Sequence, residues 1–112
     1  MANITRARAI PLIVYDLNNL DPVNWDEATT GIPEQCFLIR FSNPSATTVF
    51  VSYDHGATEQ EVILSDGIVE IYFQNNAAYS AKTNCLAKGT PIWLRGNPDN
   101  SDFYISGYTY VE

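Results

Sequence analysis

The fold of this chain is indicated most clearly by residues 103–111, which read Phe103-Tyr104-Ile105-Ser106-Gly107-Tyr108-Thr109-Tyr110-Val111. Successive side chains of a β-strand point to opposite faces, so a period of two separates the residues of one face from those of the other. One face carries Phe103, Ile105, Gly107, Thr109 and Val111, and the other carries Tyr104, Ser106, Tyr108 and Tyr110. The stretch therefore predicts a long strand with one apolar face and one tyrosine-rich face.

Six further stretches are dense in β-branched and aromatic residues and predict strands over 9–15, 37–41, 49–53, 61–64, 68–73 and 92–95. Strands at a spacing of about ten residues, broken by Gly, Pro, Asn and Asp, are typical of small sandwiches. No window shows a helical period, and residues 75–87 leave open one helical turn or an irregular loop. We predict an all-β fold: a single small β-sandwich, jelly-roll-like or Ig-like, of about seven short antiparallel strands.

Turn residues fill the gaps between the predicted strands. Asn43-Pro44-Ser45, Asp54-His55-Gly56 and Asp66-Gly67 each predict a hairpin, because these residue types favour reversals and positive φ. Residues 18–35 form a longer gap, polar in character and including Trp25. Loops beyond about 12–15 residues in compact domains are commonly functional. The sequence therefore predicts one long contact loop at 18–35.

The 112 residues suffice for one domain, which we place at 9–112, preceded by an N-terminal arm at 1–8. The arm is polar and holds Arg6 and Arg8, so by itself we expect it to be poorly ordered. The remaining residues, 11–112, carry four basic and thirteen acidic groups, a charge of −9. We expect the arm to order against a neighbour, with its two arginines meeting acidic groups such as those of another copy.

Composition and charge exclude several classes of function. The chain has a net charge of −7, and a body of this sign repels the phosphates that dominate nucleic-acid affinity. No apolar run approaches the roughly 20 residues that span a bilayer, and residues 1–6 lack the apolar region of a signal peptide. We expect a soluble protein made in the cytoplasm, with neither nucleic acid nor membrane as a partner.

Catalytic and metal-binding combinations are sparse in the sequence. The single histidine, His55, lies in a predicted turn, and the sequence has no serine or cysteine in a recognisable nucleophile motif for it to activate. Cys36 and Cys85 lack metal-ligand spacing; two structural thiols are favoured, and a disulfide or a reactive thiol stays open. The favoured interpretation of the acidic residues, which include Asp26 and Glu27, is that they are solvated surface residues. Weak calcium binding and glycoside hydrolysis are the alternatives. The sequence predicts no enzyme, no cofactor and no metal site.

Aromatic residues carry more information about binding. Tyr104, Tyr108 and Tyr110 share one face of the last strand, and Trp25 and Trp93 lie in or near polar surroundings. Three interpretations stay open: an outer layer of the core, a protein interface, or a carbohydrate-binding face. The residues predicted to contact a partner are Arg6, Arg8, Trp25, Tyr104, Tyr108 and Tyr110.

The order of several short motifs resembles a group of small virion proteins of tailed bacteriophages. The matching stretches are Met1–Thr5, Arg40-Phe41-Ser42-Asn43-Pro44-Ser45, Val49-Phe50-Val51-Ser52-Tyr53-Asp54, Lys88-Gly89-Thr90 and Gly107-Tyr108. The chain departs from the pattern at His55, which lengthens the hairpin turn, and at Pro44. Each motif alone consists largely of residues that are common in turns between strands, so the resemblance depends on the order and spacing of the motifs.

The resemblance implies a non-enzymatic structural component of a virion, made in the host cytoplasm. Its expected partners are copies of itself and other virion proteins, such as major capsid, connector or tail proteins. Its position stays open among a head decoration protein, a head–tail connector and a tail component. Two hypotheses from other functional classes stay open: a carbohydrate-binding module that aids adsorption to the host surface, and a small hydrolase.

Overall fold

The computed structural model describes residues 6–72 and 86–111. Within these residues the chain forms nine β-strands and one short 3-10 helix, Leu17–Asn19. The strands are β1 (Arg6–Ala9), β2 (Ile13–Asp16), β3 (Asp26–Thr29), β4 (Leu38–Asn43), β5 (Val49–Ser52), β6 (Glu61–Ile63), β7 (Gly67–Tyr72), β8 (Ile92–Gly96) and β9 (Asp102–Val111). The predicted all-β class is confirmed.

The strands form two antiparallel sheets. The five-stranded sheet has the order β1-β9-β4-β7, with β2 pairing β9 beyond the end of β1. The four-stranded sheet has the order β3-β8-β5-β6. Buried residues from both sheets form one cluster, so the sheets enclose a shared core. The predicted β-sandwich is confirmed.

The pairing order is that of a jelly roll. β5 pairs β6, β4 pairs β7, β3 pairs β8 and β2 pairs β9, and these nested pairs alternate between the two sheets. A long two-stranded ribbon rolled over itself produces this order, which is typical of double-sheet jelly rolls. Of the two sandwich types that the sequence left open, the topology is the jelly-roll one.

The core consists of the inward-facing residues of both sheets. Phe41 and Phe103 lie on neighbouring strands of the five-stranded sheet with ring centroids 6.0 Å apart, and both are fully buried. Val51 and Leu94 of the four-stranded sheet are fully buried in the same cluster. Each such side chain contributes about 1.5–3 kcal/mol through burial. The alternation predicted for the last strand is confirmed over 103–109, where buried and half-buried residues alternate.

Two of the predicted hairpins are wrong. The turns at Asn43-Pro44-Ser45 and at Asp66-Gly67 join strands of different sheets, since β4 leads to β5 and β6 leads to β7. The turn at 54–56 does close a hairpin, between β5 and β6. A turn motif specifies that the chain reverses direction, and a crossing between sheets needs the same residue types as a hairpin. Only the pairing partners, which are distant in sequence, distinguish the two cases.

The predicted long loop and first strand also need correction. Residues 18–35 contain β3, a strand with the sequence Asp-Glu-Ala-Thr. Three of its four residues, Asp, Glu and Ala, are of types depleted in strands, and it forms because its backbone pairs with β8, with a register shift between Glu27 and Thr29. The predicted strand 9–15 is two strands separated at Pro11, and β1 begins at Arg6, inside the predicted arm. The predictions for residues 75–85, Cys85 included, lie outside the described residues.

A buried asparagine joins two of the crossings between the sheets. The Asn43 side chain is fully buried, and its Nδ2 lies 2.8 Å from the carbonyl oxygen of Thr47 and 3.1 Å from those of Ile63 and Leu64. Its Oδ1 accepts from the Ser45 backbone N–H at 3.2 Å and from Ser45 Oγ at 2.5 Å. One side chain therefore connects the turn from β4 to β5 with the turn from β6 to β7.

We predict that Asn43→Ala lowers the free energy of unfolding by about 3 kcal/mol, because it leaves several buried backbone groups without their partner. Urea denaturation of the purified chain measures the change. Ser42→Ala, one position earlier on the outer side of β4, serves as the matched control and should cost less than about 1 kcal/mol. Equal losses in the two variants would contradict the role assigned to the Asn43 amide.

Candidate functional site

The predicted tyrosines lie on the outer surface of the five-stranded sheet. Tyr104 is opposite Val14 of β2 and Ser42 of β4, and Tyr108 is opposite Leu38. Outward side chains of four strands complete this surface, which we call the tyrosine face: Val14, Leu38, Arg40, Ser42, Ile68, Glu70, Tyr72, Tyr104, Ser106 and Tyr108. Antiparallel register makes these residues neighbours although they come from distant parts of the chain.

The tyrosine face exposes several large apolar side chains. Ile68 is 66% exposed, Tyr72 64% and Val14 52%. Tyr104 and Tyr108 are half-buried among them. Single exposed apolar residues are ordinary on protein surfaces, but contiguous ones are typical of protein interfaces. The face therefore has the composition of a contact surface, with a polar row of Glu70, Arg40 and Ser106 across its middle.

An ion pair lies within the tyrosine face. Arg40 Nε donates to Glu70 Oε2 at 2.8 Å across the β4–β7 pair, and Arg40 Nη2 donates to the same oxygen. Both side chains are more than a third exposed, so the pair contributes at most about 1 kcal/mol to stability. Its larger effect is to cancel the two charges, which leaves the face neutral in a chain whose net charge is −7.

The predicted contact arginines lie at one end of the same sheet. β1 pairs β9, and Arg6 is opposite Val111 in the register. Arg8 Nη2 donates to Glu34 Oε1 at 2.5 Å, and the pair is exposed. The acidic partner that the structure gives Arg8 belongs to its own chain, and contact with another copy stays a prediction. The side chains of Arg6 and Tyr110 are outside the described part of the chain.

Trp25 lies on the other side of the sandwich from the tyrosine face. It belongs to a group on the outer side of the four-stranded sheet that we call the tryptophan cluster: Trp25, Phe50, His55, Trp93 and Arg95. The sequence predicts that Trp25 and the tyrosines both contact a partner, and the structure places them on the outer sides of different sheets.

The rings of the tryptophan cluster contact each other and Arg95. The Arg95 guanidinium carbon is 5.0 Å from the Trp25 ring centroid and 5.2 Å from that of Phe50. Cation–π contacts of this kind contribute roughly 0.5–1 kcal/mol each at exposed sites. Arg95 also pairs with Glu59 at 3.1 Å, and the His55 ring lies 5.1 Å from that of Trp93. Each tryptophan ring therefore contacts another side chain of the cluster.

The β5–β6 hairpin holds His55 and Gly56 against the tryptophans. Both residues have positive φ, 59° and 84°. The Asp54 carboxylate accepts hydrogen bonds from Ser52 Oγ at 2.6 Å, Thr58 Oγ1 at 2.5 Å and the Thr58 backbone N–H at 3.0 Å. These donors hold the pKa of Asp54 well below its usual range. The carboxylate therefore fixes the loop that covers Trp25 and Trp93.

The neighbouring acids Asp26 and Glu27 do not form a pair. In the register Asp26 is opposite buried Leu94, whereas Glu27 is opposite half-buried Trp93, so their side chains point to opposite faces of the strand. Asp26 Oδ2 accepts from the buried Tyr15 hydroxyl at 2.5 Å, which connects the two sheets. Burial, and then this hydrogen bond, raise the pKa of Tyr15 well above its usual value. The role of Asp26 in the structure is that of an acceptor at the edge of the core.

Groups for metal binding do not gather in the described ranges. Within 6–72 and 86–111 there is no set of three or more His, Cys, Asp or Glu side chains that could hold an ion. A small open polar depression is lined by Asp16, Asn18, Asn100, Ser101 and Asp102. Over the same ranges no helix is both long and apolar enough to span a bilayer.

No protein-family model, curated protein or solved structure matches the chain. The motifs behind the resemblance have structural roles in this fold. Asn43 and Ser45 form the buried connection between the sheet crossings. A Cβ on Gly107 would lie 3.0 Å from both Cys36 Sγ and Ile39 Cδ1, so a larger residue there would require these core side chains to shift.

We predict that Trp25→Ala lowers the free energy of unfolding by about 2 kcal/mol, since the ring packs against Gly56 and Arg95. A Cβ at Gly56 would lie 2.3 Å from Trp25 Cδ1. Gly56→Ala alone should therefore cost about 3 kcal/mol, but only about 1 kcal/mol in the Trp25→Ala background, where the backbone strain alone persists. Additive losses in the double-mutant cycle, measured by urea denaturation, would show that Trp25 is not packed on the hairpin.

We predict that the Asp54 network stabilises the protein only while the carboxylate is charged. A carboxyl whose pKa is lowered on folding contributes stability above its ordinary pKa of 3.8, and the contribution is lost as the pH falls below that value toward the folded pKa. The stability difference between the wild type and Asp54→Asn should thus be constant near neutral pH and shrink below pH 3.8. Urea midpoints measured between about pH 7 and about pH 2.5 test this, and a constant difference over the whole range would contradict it.

Proposed function

We propose that this chain is a non-enzymatic structural component of a bacteriophage virion, and that it binds copies of itself and neighbouring capsid or tail proteins. The observation that carries the proposal is the tyrosine face, which combines exposed Val14, Ile68 and Tyr72 with a neutralised ion pair. The order of the sequence motifs supports the virion as the assembly, and the jelly-roll topology is compatible with it.

The composition of the tyrosine face supports protein contact. Interfaces are enriched in tyrosine and depleted in uncompensated charge at their centre. Tyr104 and Tyr108 are already half-buried, so they would lose less rotamer freedom on binding than fully exposed side chains. Covering one exposed aromatic or aliphatic side chain contributes about 1.5–3 kcal/mol. Several such residues on one rigid sheet suffice for a specific contact.

Electrostatics favours this face over the rest of the surface as the place where two copies make contact. Two copies with a charge of −7 each repel one another at a distance of less than about one Debye length, which is ~8 Å at physiological salt. The tyrosine face reduces that repulsion locally, because Arg40 neutralises Glu70. Contact between copies should therefore strengthen as salt concentration rises, the reverse of an interface formed by opposite charges.

The jelly-roll topology alone does not choose between a virion protein and a carbohydrate-binding module, since both capsid and lectin domains adopt it. Sugar rings bind to aromatic rings that are free on one side. Trp25 is contacted by Gly56 and Arg95, and Trp93 by His55. These contacts disfavour a sugar stacked on either tryptophan, which a sugar titration of tryptophan fluorescence tests. A glycan array tests sugar binding at the tyrosine face.

We predict that Val14→Asp prevents incorporation into particles and Val62→Asp does not. Both valines lie on strands and are about half-exposed, 52% and 46%, but Val62 belongs to the four-stranded sheet. A carboxylate at position 14 would be desolvated in the contact, which should weaken binding at least about tenfold. The measurement is the amount of each variant in particles purified from cells infected with the phage that encodes the chain.

The wild-type chain should copurify with the particles, and an antibody against it should label them in electron micrographs. Folding of both variants is checked by urea denaturation before the comparison. A wild-type chain that stays in the soluble fraction would overturn the virion assignment. Equal incorporation of the two variants would instead remove the tyrosine face from the contact.

A further inference from the structure

The outer side of the four-stranded sheet carries an open depression beside the tryptophan cluster, which we call the Phe50 depression. Its volume is about 460 Å³, within the range of about 300–1,000 Å³ that is usual for small-ligand sites. Three segments that are distant in sequence contribute to its lining, with the residues Pro22, Thr47, Thr48, Phe50, Gly96 and Asn97. The tyrosine face shares none of them.

Hydrogen bonds fix these three segments relative to each other. The Thr47 hydroxyl donates to the Asn97 carbonyl oxygen at 3.0 Å, which joins the segment before β5 to the segment after β8. The Gly96 backbone N–H donates to the Asp21 carbonyl oxygen at 3.1 Å. The Asp21 carboxylate accepts from two backbone N–H groups of the following turn, at 2.7 and 2.8 Å, and so fixes the position of Pro22. The depression is therefore formed before a ligand binds, which reduces the entropic cost of binding.

The lining combines apolar rings with polar groups that are free to bind a ligand. Phe50 is half-buried, and Arg95 of the neighbouring strand contacts its ring while another part of the ring lines the depression. Pro22 adds a second apolar ring. Within the described residues, the bonds that reach Thr48 and Asn97 from Thr47 end on their backbone carbonyls and leave the side chains unpaired. A hydroxyl and a carboxamide together offer donors and acceptors.

This combination of groups matches the chemistry of a neutral sugar ring. A pyranose has a face of C–H groups, which packs on apolar and aromatic rings, and a rim of hydroxyls that each donate and accept. Among the described residues that line the depression none is charged, and the net charge of −7 repels anionic sugars. The charge of the neighbouring Arg95 is paired with Glu59 at 3.1 Å. The lining therefore favours a neutral hexose over an acidic sugar or a phosphate.

We propose that the Phe50 depression binds the ring of a neutral hexose. The C–H face of the sugar packs on Phe50, and its hydroxyls bond with the side chains of Thr48 and Asn97. This site differs from a sugar stacked on Trp25 or Trp93, since it uses the part of the Phe50 ring that those contacts leave open. It is also independent of the proposed function, because the tyrosine face lies on the outer side of the other sheet.

An NMR titration of the isotope-labelled full chain tests the site. The probes are D-glucose, D-galactose, D-mannose and N-acetyl-D-glucosamine, each raised to about 50 mM, because one ring in an open site is expected to bind with a Kd of about 1–10 mM. At least one of these sugars should shift the backbone amide signals of Thr48, Phe50 and Asn97 along a saturating curve. The amide signals of Ser106 and Tyr108, on the tyrosine face, should stay in place.

Variants of the lining separate specific binding from a general solvent effect of the sugar. Phe50→Ala removes the aromatic ring and should raise the Kd at least about tenfold. Thr48→Val and Asn97→Ala each remove one side-chain hydrogen-bonding group and should raise it about two- to tenfold. Val62→Ala is the matched control, because Val62 lies opposite Phe50 in the register but outside the depression, and it should bind like the wild type.

Folding of each variant is checked by its amide spectrum before the titration. If Phe50→Ala does not fold, Thr48→Val and Asn97→Ala decide the question. The proposal is overturned if none of the four sugars gives a saturating shift, or if the folded lining variants bind as tightly as Val62→Ala. Shifts confined to Tyr104 and Tyr108 would move sugar binding to the tyrosine face and would equally overturn it.

The outcomes for the sugar site and for the virion role can be told apart. A chain that binds a sugar in the Phe50 depression but is absent from particles supports the site and refutes the virion role. A chain that is found in particles but binds none of the sugars refutes the site and leaves the virion role. An octaproline peptide that shifts the signals of the depression when no sugar does would assign the depression to a peptide and overturn the sugar as its ligand.

Discussion

The buried amide of Asn43 connects two of the places where the chain passes from one sheet to the other, from β4 to β5 and from β6 to β7. In a jelly roll, the strands that follow one another in sequence mostly belong to different sheets, so these turns determine which strands become neighbours. Asn43 binds the backbone of Thr47 on one crossing and of Ile63 and Leu64 on the other. The Asp66 backbone N–H also donates to the Ser45 carbonyl at 3.0 Å. Because unpaired buried polar groups are costly, this network favours one arrangement of the crossings over the alternatives.

The rolled topology separates two aromatic surfaces that the sequence does not separate. The tyrosines of β9 lie outside the five-stranded sheet, whereas Trp25 and Trp93 lie outside the four-stranded one. The two surfaces also differ in chemistry. The tryptophan cluster contains an arginine, a histidine and a folded hairpin that occupy its rings. The tyrosine face leaves Ile68 and Tyr72 about two-thirds exposed. Aromatic content alone therefore does not identify a binding surface; what matters is whether the chain already covers the rings.

Local pattern was sufficient to predict the strands with strong alternation, including β9 and its division into a buried and a tyrosine-bearing face. It failed for β3, where Asp-Glu-Ala-Thr becomes a strand only by pairing with β8, a contact between segments far apart in sequence. It also failed for the turn at Asp66-Gly67, which has the residues of a hairpin and makes a crossing. The candidate site was predicted in part. Tyr104 and Tyr108 were found from their period, but Val14, Arg40, Ile68 and Glu70 join them only through a register set by distant strands.

The jelly-roll order also explains why an edge strand belongs to the tyrosine face. β9 and β4 occupy the middle of the five-stranded sheet, so among the described strands β7 is its border on one side. Ile68 and Tyr72 then belong both to an edge strand and to the tyrosine face. The order of strands therefore places the two most exposed apolar residues of the tyrosine face, Ile68 and Tyr72, on the strand that borders it, beside an ion pair that leaves no net charge among them.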